Sequence, residues 1–239
     1  MKRFLILFFM VFLTVSCFAK GKEKLLTVLF TNDFHAMAWR FDEPGNPGIG
    51  GLAAQKTLID EIRSEVRGRG GNILVLSSGD ITLGDPRSNV CENMPTIQGM
   101  NLIGYDAMAI GNHEFDFGLE VFHKMKDAAK FPFLSANIYE EGGTKAVGQD
   151  FMEKKFDDGL SVGILGITTR ETEQITSSGL LGNLVMTDPV LEAKSRVPVL
   201  RKKNDVVIVL SHLGFYDTDK SFDGYYGDNY LAKTVPGID

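Results

Sequence analysis

The chain is poor in the residues that staple small extracellular domains: among its 239 residues only Cys17 and Cys91 are cysteine. Cys17 falls in a leader, so Cys91 is the one thiol of the body, and an intrachain disulfide there is excluded whatever the redox compartment. A structural zinc site of the Cys-rich kind is excluded for the same reason. Basic residues are in deficit, 25 Lys and Arg against 31 Asp and Glu for a formal net charge of −6. Such a balance argues against a nucleic acid polymer or an anionic lipid surface as partner. No apolar run reaches the roughly 20 residues that span a bilayer. There are only four histidines, so each can be weighed singly. Internal repeats, low-complexity tracts and interdomain linkers are also missing. What remains is a body of about 220 residues, long enough for one large domain whose stability must come from its core.

The first 19 residues read as an export signal. Lys2 and Arg3 form a charged n-region, Phe4 to Val15 an apolar h-region, and Cys17-Phe18-Ala19 resembles a small-residue cleavage site before Lys20. A second reading stays open, because Thr14-Val15-Ser16-Cys17 resembles a lipoprotein box in which Cys17 would carry a lipid. Either way the expectation is an exported protein, periplasmic or at the cell surface. Membrane contact would arise only through lipidation at Cys17.

The body has βα character. The runs Leu25–Thr31, Ile73–Leu76, Ala107–Ile110 and Val206–Leu210 are nearly continuous in apolar residues, as expected of strands covered on both faces. Helices are expected over Leu52–Val66, Thr96–Ile103 and Leu119–Ala129, with Asp85–Pro95 a loop and Phe131–Ala136 a further strand. Glu153–Phe156 and Leu160–Ile167 flank the turn Asp157-Asp158-Gly159 and predict an antiparallel hairpin, so the sheets should be mixed. Asp188-Pro189 opens another helix, which Pro198 is expected to kink or divide.

Chemistry-bearing residues sit where strands end. Asn32-Asp33-Phe34-His35 follows the first strand, Gly79-Asp80 the second, Gly111-Asn112-His113-Glu114-Phe115-Asp116 the third, and Ser211-His212 the last. In open α/β sheets the carboxyl ends of strands are where ligands bind. Two metal ions held side by side stabilise both the attacking and the leaving oxygen of a displacement at phosphorus. Asp33 and His35 can face one ion, Asn112 and His212 suit the other, and Asp80 on its glycine turn is the natural bridge. Imidazole and carboxylate ligands without thiolate point to Mn, Fe, Co or Zn. His113, oriented by Asp116, would stabilise developing charge or protonate the leaving alkoxide. Taken singly each piece is bland: Asp-x-His is mostly a polar loop, Gly-Asp a turn, Ser-His a surface histidine. His123, in mid-helix, reads as structural, and Trp39 and Arg40 as either a loop contact or packing.

In order and type, these motifs resemble those of the calcineurin-like metallophosphoesterases. More narrowly, they resemble the N-terminal catalytic domain of the secreted 5'-nucleotidase and UDP-sugar hydrolase family. The extended form Asn112-His113-Glu114-Phe115-Asp116-Phe117-Gly118, with Gly50-Gly51-Leu52-Ala53, Phe133-Leu134-Ser135-Ala136-Asn137 and Val235-Pro236-Gly237-Ile238-Asp239, fits that branch. The resemblance covers Leu25 to Asp239 and implies a four-layer α/β/β/α sandwich with mixed sheets. It further implies two divalent ions held at Asp33, His35, Asp80, Asn112 and His212, with His113 and Asp116 as the catalytic pair. The implied reaction is hydrolysis of nucleotide phosphate esters by a hydroxide activated between the ions. In the family, Pro-Gly-Ile-Asp leads into a further strand, a Gly-His-x-His or Gly-His-x-Gln turn, and a C-terminal nucleoside-binding domain. This chain stops at Asp239, so a metallophosphoesterase domain over residues 20–239 is expected to lack its last strands. The alternatives are a non-catalytic remnant that binds metal weakly, or a related hydrolase of cyclic nucleotides or sulfur esters.

Overall fold

The computed structural model describes residues 23–143, 147–216 and 225–239. The expected leader, Cys17 included, lies outside them. In chain order the elements are β1 (Leu26–Thr31), β2 (Phe41–Glu43), β3 (Asn46–Ile49), α1 (Leu52–Gly68), β4 (Asn72–Ser77), α2 (Pro86–Val90), α3 (Met94–Ile103) and β5 (Ala107–Ala109). There follow α4 (Gly118–Ala128), β6 (Phe133–Leu134), β7 (Ile138–Glu140), β8 (Phe151–Lys155), β9 (Ser161–Thr168) and α5 (Thr172–Ile175). The remainder are β10 (Leu184–Met186), α6 (Pro189–Arg201), β11 (Val206–His212) and α7 (Asp228–Thr234).

Strands β1, β4, β5 and β6 form an all-parallel sheet in the order β1-β4-β5-β6. A second sheet, in the order β11-β9-β8, is mixed, with β11 parallel and β8 antiparallel to β9. Both are apolar on both faces, and their two-residue period sorts side chains into three cores. Leu29, Val75 and Met108 face α1, α3 and α4, where they meet Ile59, Ile97, Met100, Phe122 and Met125. Their neighbours Leu74, Leu76, Ala107 and Ala109 face the other way, onto Val162, Ile164 and Leu210 of the second sheet. The far face of that sheet, Leu165, Ile167 and Val207, packs on Val190, Ala193, Val197 and Leu200 of α6 and Leu231 of α7. The order helix, sheet, sheet, helix is the expected four-layer sandwich.

The two sheets are locked together near the carboxyl ends of their strands. Thr168 at the end of β9 donates its hydroxyl proton to the Ile110 carbonyl at 2.6 Å, and Asn137 bonds the Thr168 backbone on both sides at 2.7 and 2.9 Å. Gly166 is required there, since a Cβ would lie 2.3 Å from the Leu134 carbonyl oxygen.

Three local expectations are revised. Asp85–Pro95 is not a loop: Asp85 caps the short helix α2 by accepting the Arg87 N–H at 2.8 Å, and α3 already starts at Met94. A five-residue helix is too short to show a period in sequence. The Gly/Pro-rich passage Pro44–Gly51 holds the turn and the second strand of the hairpin β2–β3, with Gly45 at φ 84° in that turn. Phe131–Ala136 pairs as a strand only at Phe133–Leu134, because the chain then crosses to the second sheet. Pro198 does not divide α6, which is continuous from Pro189 to Arg201. Lacking an N–H, it gives up the bond to the carbonyl four residues before it.

Phe122 is fully buried, its ring 5.0 Å from that of Phe115 and 5.9 Å from that of Phe133. Phe122→Ala should therefore cost about 3–5 kcal/mol of stability, read as a lowered urea midpoint with an unchanged slope. A loss below about 1 kcal/mol would show that this core is not tightly packed.

Candidate metal centre

Two loops at one end of the first sheet are stitched together through their backbones, and a third is tied to them through side chains. The loop after β1 pairs with the loop after β4: Asp33 N–H to Gly79 carbonyl at 3.2 Å, His35 to Asp80 at 3.0 Å, Ala36 to Ile81 at 3.0 Å. This pairing holds four non-glycine residues in the left-handed region, Asp33, His35, Ala36 and Asp80, at φ 48–54°. Such conformations cost of order 1–3 kcal/mol each and cluster where a site over-determines the backbone. Gly84 sits so close to this loop that a Cβ would meet the His35 carbonyl oxygen at 1.9 Å.

The Asp80 carboxylate stands at the centre and is 3% exposed. Its Oδ1 accepts the His113 N–H at 3.0 Å, and its Oδ2 lies 3.2 Å from Nε2 of His212 and 4.0 Å from Nε2 of His113. Asn112, also buried, places Oδ1 3.1 Å from the same His212 nitrogen. His212 comes from the other sheet and donates Nδ1–H to the Ser78 carbonyl at 2.8 Å. His35 directs Nδ1 at the carbonyls of Thr82 and Leu83, 3.2 and 3.1 Å away. With Nδ1 so engaged, both imidazoles turn Nε2 toward the centre, the orientation of a metal-ligating histidine.

Two sets of donors converge within 4.8 Å, Asp33 with Asp80 and His212, and His35 with Asp80 and His113. Asp80 belongs to both, and the donor set is one that suits divalent first-row ions. Asp33 and His35, expected to face one ion, stand 3.9 Å apart, each converging with Asp80. His113, expected only as a proton carrier, contributes to the second set. Its Nδ1–H donates to Asp116 at 2.5 Å, and its ring meets that of His35 edge-on at 5.1 Å. His123 stays apart, edge-on against Phe122 at 5.5 Å. Trp39 lies 4.6 Å beneath the Arg87 guanidinium, itself paired with Asp85.

Electrostatics follow from this crowding. Burial alone would raise the Asp80 carboxyl, but the hydrogen bond and charge of His212, with the His113 N–H, hold it below the ordinary range. Burial pulls His212 down, and Asp80 foremost, then Glu114 and the Ser78 carbonyl, carry it the other way to about 9. Glu114 is pushed up to about 7 by burial and by the nearby Asp80 charge. Glu114 is the residue that reading the sequence for ligands passes over. It lies inside the third motif, yet its importance rests on contacts with a loop 33 and 34 positions away.

Gly111 has no room for a side chain, since a Cβ would lie 2.2 Å from Asp80 Oδ1 and 2.9 Å from Glu114 Oε2. Gly111→Ala should lower stability by about 1–3 kcal/mol through overpacking, measured by denaturant unfolding. An unchanged midpoint would mean that the loops are looser than their contacts imply.

A family model for calcineurin-like phosphoesterase matches residues 26–239. The 5'-nucleotidase of Vibrio cholerae serotype O1 is 42% identical over 220 residues, which cover 90% of this chain and 38% of that protein. Protein UshA of Escherichia coli K12 is 40% identical over 225 residues, covering 93% of this chain and 40% of its own length. The chain thus spans about two fifths of the length of these relatives. Among solved structures, calcineurin-like phosphoesterase YfkN from Bacillus subtilis superposes with a TM-score of 0.73 at 26% identity, over 89% of this chain and 69% of that one. The 5'-nucleotidase precursor from Thermus thermophilus gives 0.69 at 32% identity, over 80% of this chain and 37% of that one. Motif order, four-layer architecture and these likenesses agree, and the chain belongs to the calcineurin-like phosphoesterase family.

Proposed function

We propose that this chain carries the catalytic machinery of an exported, two-metal phosphoesterase that hydrolyses nucleotide phosphate esters. One observation carries the reading: a single buried carboxylate, Asp80, is shared by two converging donor sets. Asp33, His35, Asp80, Asn112 and His212 would hold the two ions, which when bound polarise the phosphoryl group and supply an activated water nucleophile. The relatives named 5'-nucleotidase support nucleotides as the substrate class. The apolar run that follows Lys2-Arg3 supports export.

The side chains divide the remaining work. Asp116 fixes the orientation of the His113 ring by accepting from Nδ1. Nε2 of His113 is then the donor facing the centre, placed to stabilise charge on the phosphoryl oxygens and to give its proton to the departing alkoxide. Ser78 and the Thr82–Leu83 backbone hold the His212 and His35 rings in the orientation that ligation demands.

Activity of the protein toward a 5'-nucleoside monophosphate should depend on added Mn or Co and disappear on chelation. Asp80→Ala should abolish it, whereas His113→Ala should lower turnover about 100- to 10,000-fold. Phosphate release and bound metal, measured side by side, check both; retained turnover in Asp80→Ala would reject the shared-ligand role.

A further inference from the structure

A buried carboxylate that makes no direct ion pair among the described residues needs an explanation, because removing such a charge from water is costly. Glu114 is such a group: it is completely buried, and its hydrogen bonds come from backbone N–H groups. Oε2 accepts from Gly111 at 2.6 Å and from Asp80 at 3.0 Å, and Oε1 accepts from Ile81 at 2.8 Å. The donors belong to two different loops, the one after β4 and the one after β5. The grip is reciprocal, since the Asp80 carboxylate accepts the His113 N–H from the loop that carries Glu114. Each loop thus presents a carboxylate to the other's backbone, as in a helix capping box but across the sheet.

Core packing alone does not call for this. The neighbours of Glu114 in sequence, Phe115 and Ile110, are fully buried apolar residues, and an apolar side chain at 114 would have avoided the desolvation cost. What an apolar residue could not do is hold Asp80 at φ 54° while fixing the direction of its N–H and therefore of its side chain. We infer that Glu114 is a positioning residue of the reaction: by clasping the backbone of Asp80, Ile81 and Gly111 it aims the Asp80 carboxylate shared by both donor sets. It touches neither substrate nor ion. This inference rests on the two-metal reading.

The test is cobalt binding by the wild-type chain, Glu114→Gln and Glu114→Ala, followed by the visible absorption of bound Co(II), with urea unfolding of the metal-free proteins alongside. Glu114→Gln keeps shape and burial but turns one oxygen into an N–H₂ that meets backbone donors. Its cobalt affinity should fall about 10- to 100-fold, the usual consequence of losing a partner that orients a ligand, and its absorption bands should shift. A residue that merely stabilises the fold would lower the urea midpoint but leave affinity and spectrum per folded molecule unchanged, and that result overturns the inference. So does failure of Glu114→Gln to fold at all, which would make the residue a determinant of folding. Should Glu114→Ala alone fail to fold, Glu114→Gln decides. Wild-type protein that takes up no cobalt rejects the metal reading itself, and this role with it; variants that match a cobalt-binding wild type reject the role alone.

Discussion

The Asp80 carboxylate is the point at which the constraints of this structure meet. It is buried, it sits on a left-handed residue, and it is within 4.0 Å of two imidazoles, one from the loop after β5 and one from the end of β11. Isolated, a carboxylate so placed would be unstable, because it has lost water and faces another buried acid in Glu114. It persists because imidazole, backbone N–H and a divalent ion can each offset part of its charge. The same crowding that makes Asp80 costly puts it where two donor sets overlap, the place that the proposed reading requires of a carboxylate shared by two cations.

Distance across the site is therefore governed by elements far from the chemistry. His212 rides on the second sheet and Asp80 on the first, so their 3.2 Å separation depends on how closely the sheets pack. That packing is set by small residues and polar ties: Gly166 against the Leu134 backbone, Thr168 on the Ile110 carbonyl, Asn137 on both sides of Thr168. Interiors are close-packed and nearly incompressible, so a methyl group added at Gly166 would be felt at His212. The apolar sandwich acts as a caliper for the polar centre.

Much of this was legible in the chain. The apolar runs marked the principal strands, because a strand covered on both faces must be apolar throughout, and the polar residue types at their ends pointed to one edge. The Asp188 cap and the Asp157-Asp158-Gly159 hairpin were legible because caps and turns are local chemistry. Helix α2 was not, being too short for periodicity, and neither was the continuity of α6 through Pro198. Glu114 stood in plain view inside a recognised motif, yet its partners lie on another loop, and spacing along a chain carries no information about that.

Sequence by itself determined which residue types stand at which strand ends, and with them the fold class and the kind of chemistry on offer. Those follow from period, polarity and donor type, all properties of neighbours along the chain. Tertiary structure alone decided which donors come within reach of one another, bringing His212 and His113 to Asp80. It also decided that a buried glutamate should hold the central aspartate. Such choices turn on distances between loops, and these exist only once two sheets have closed on one core.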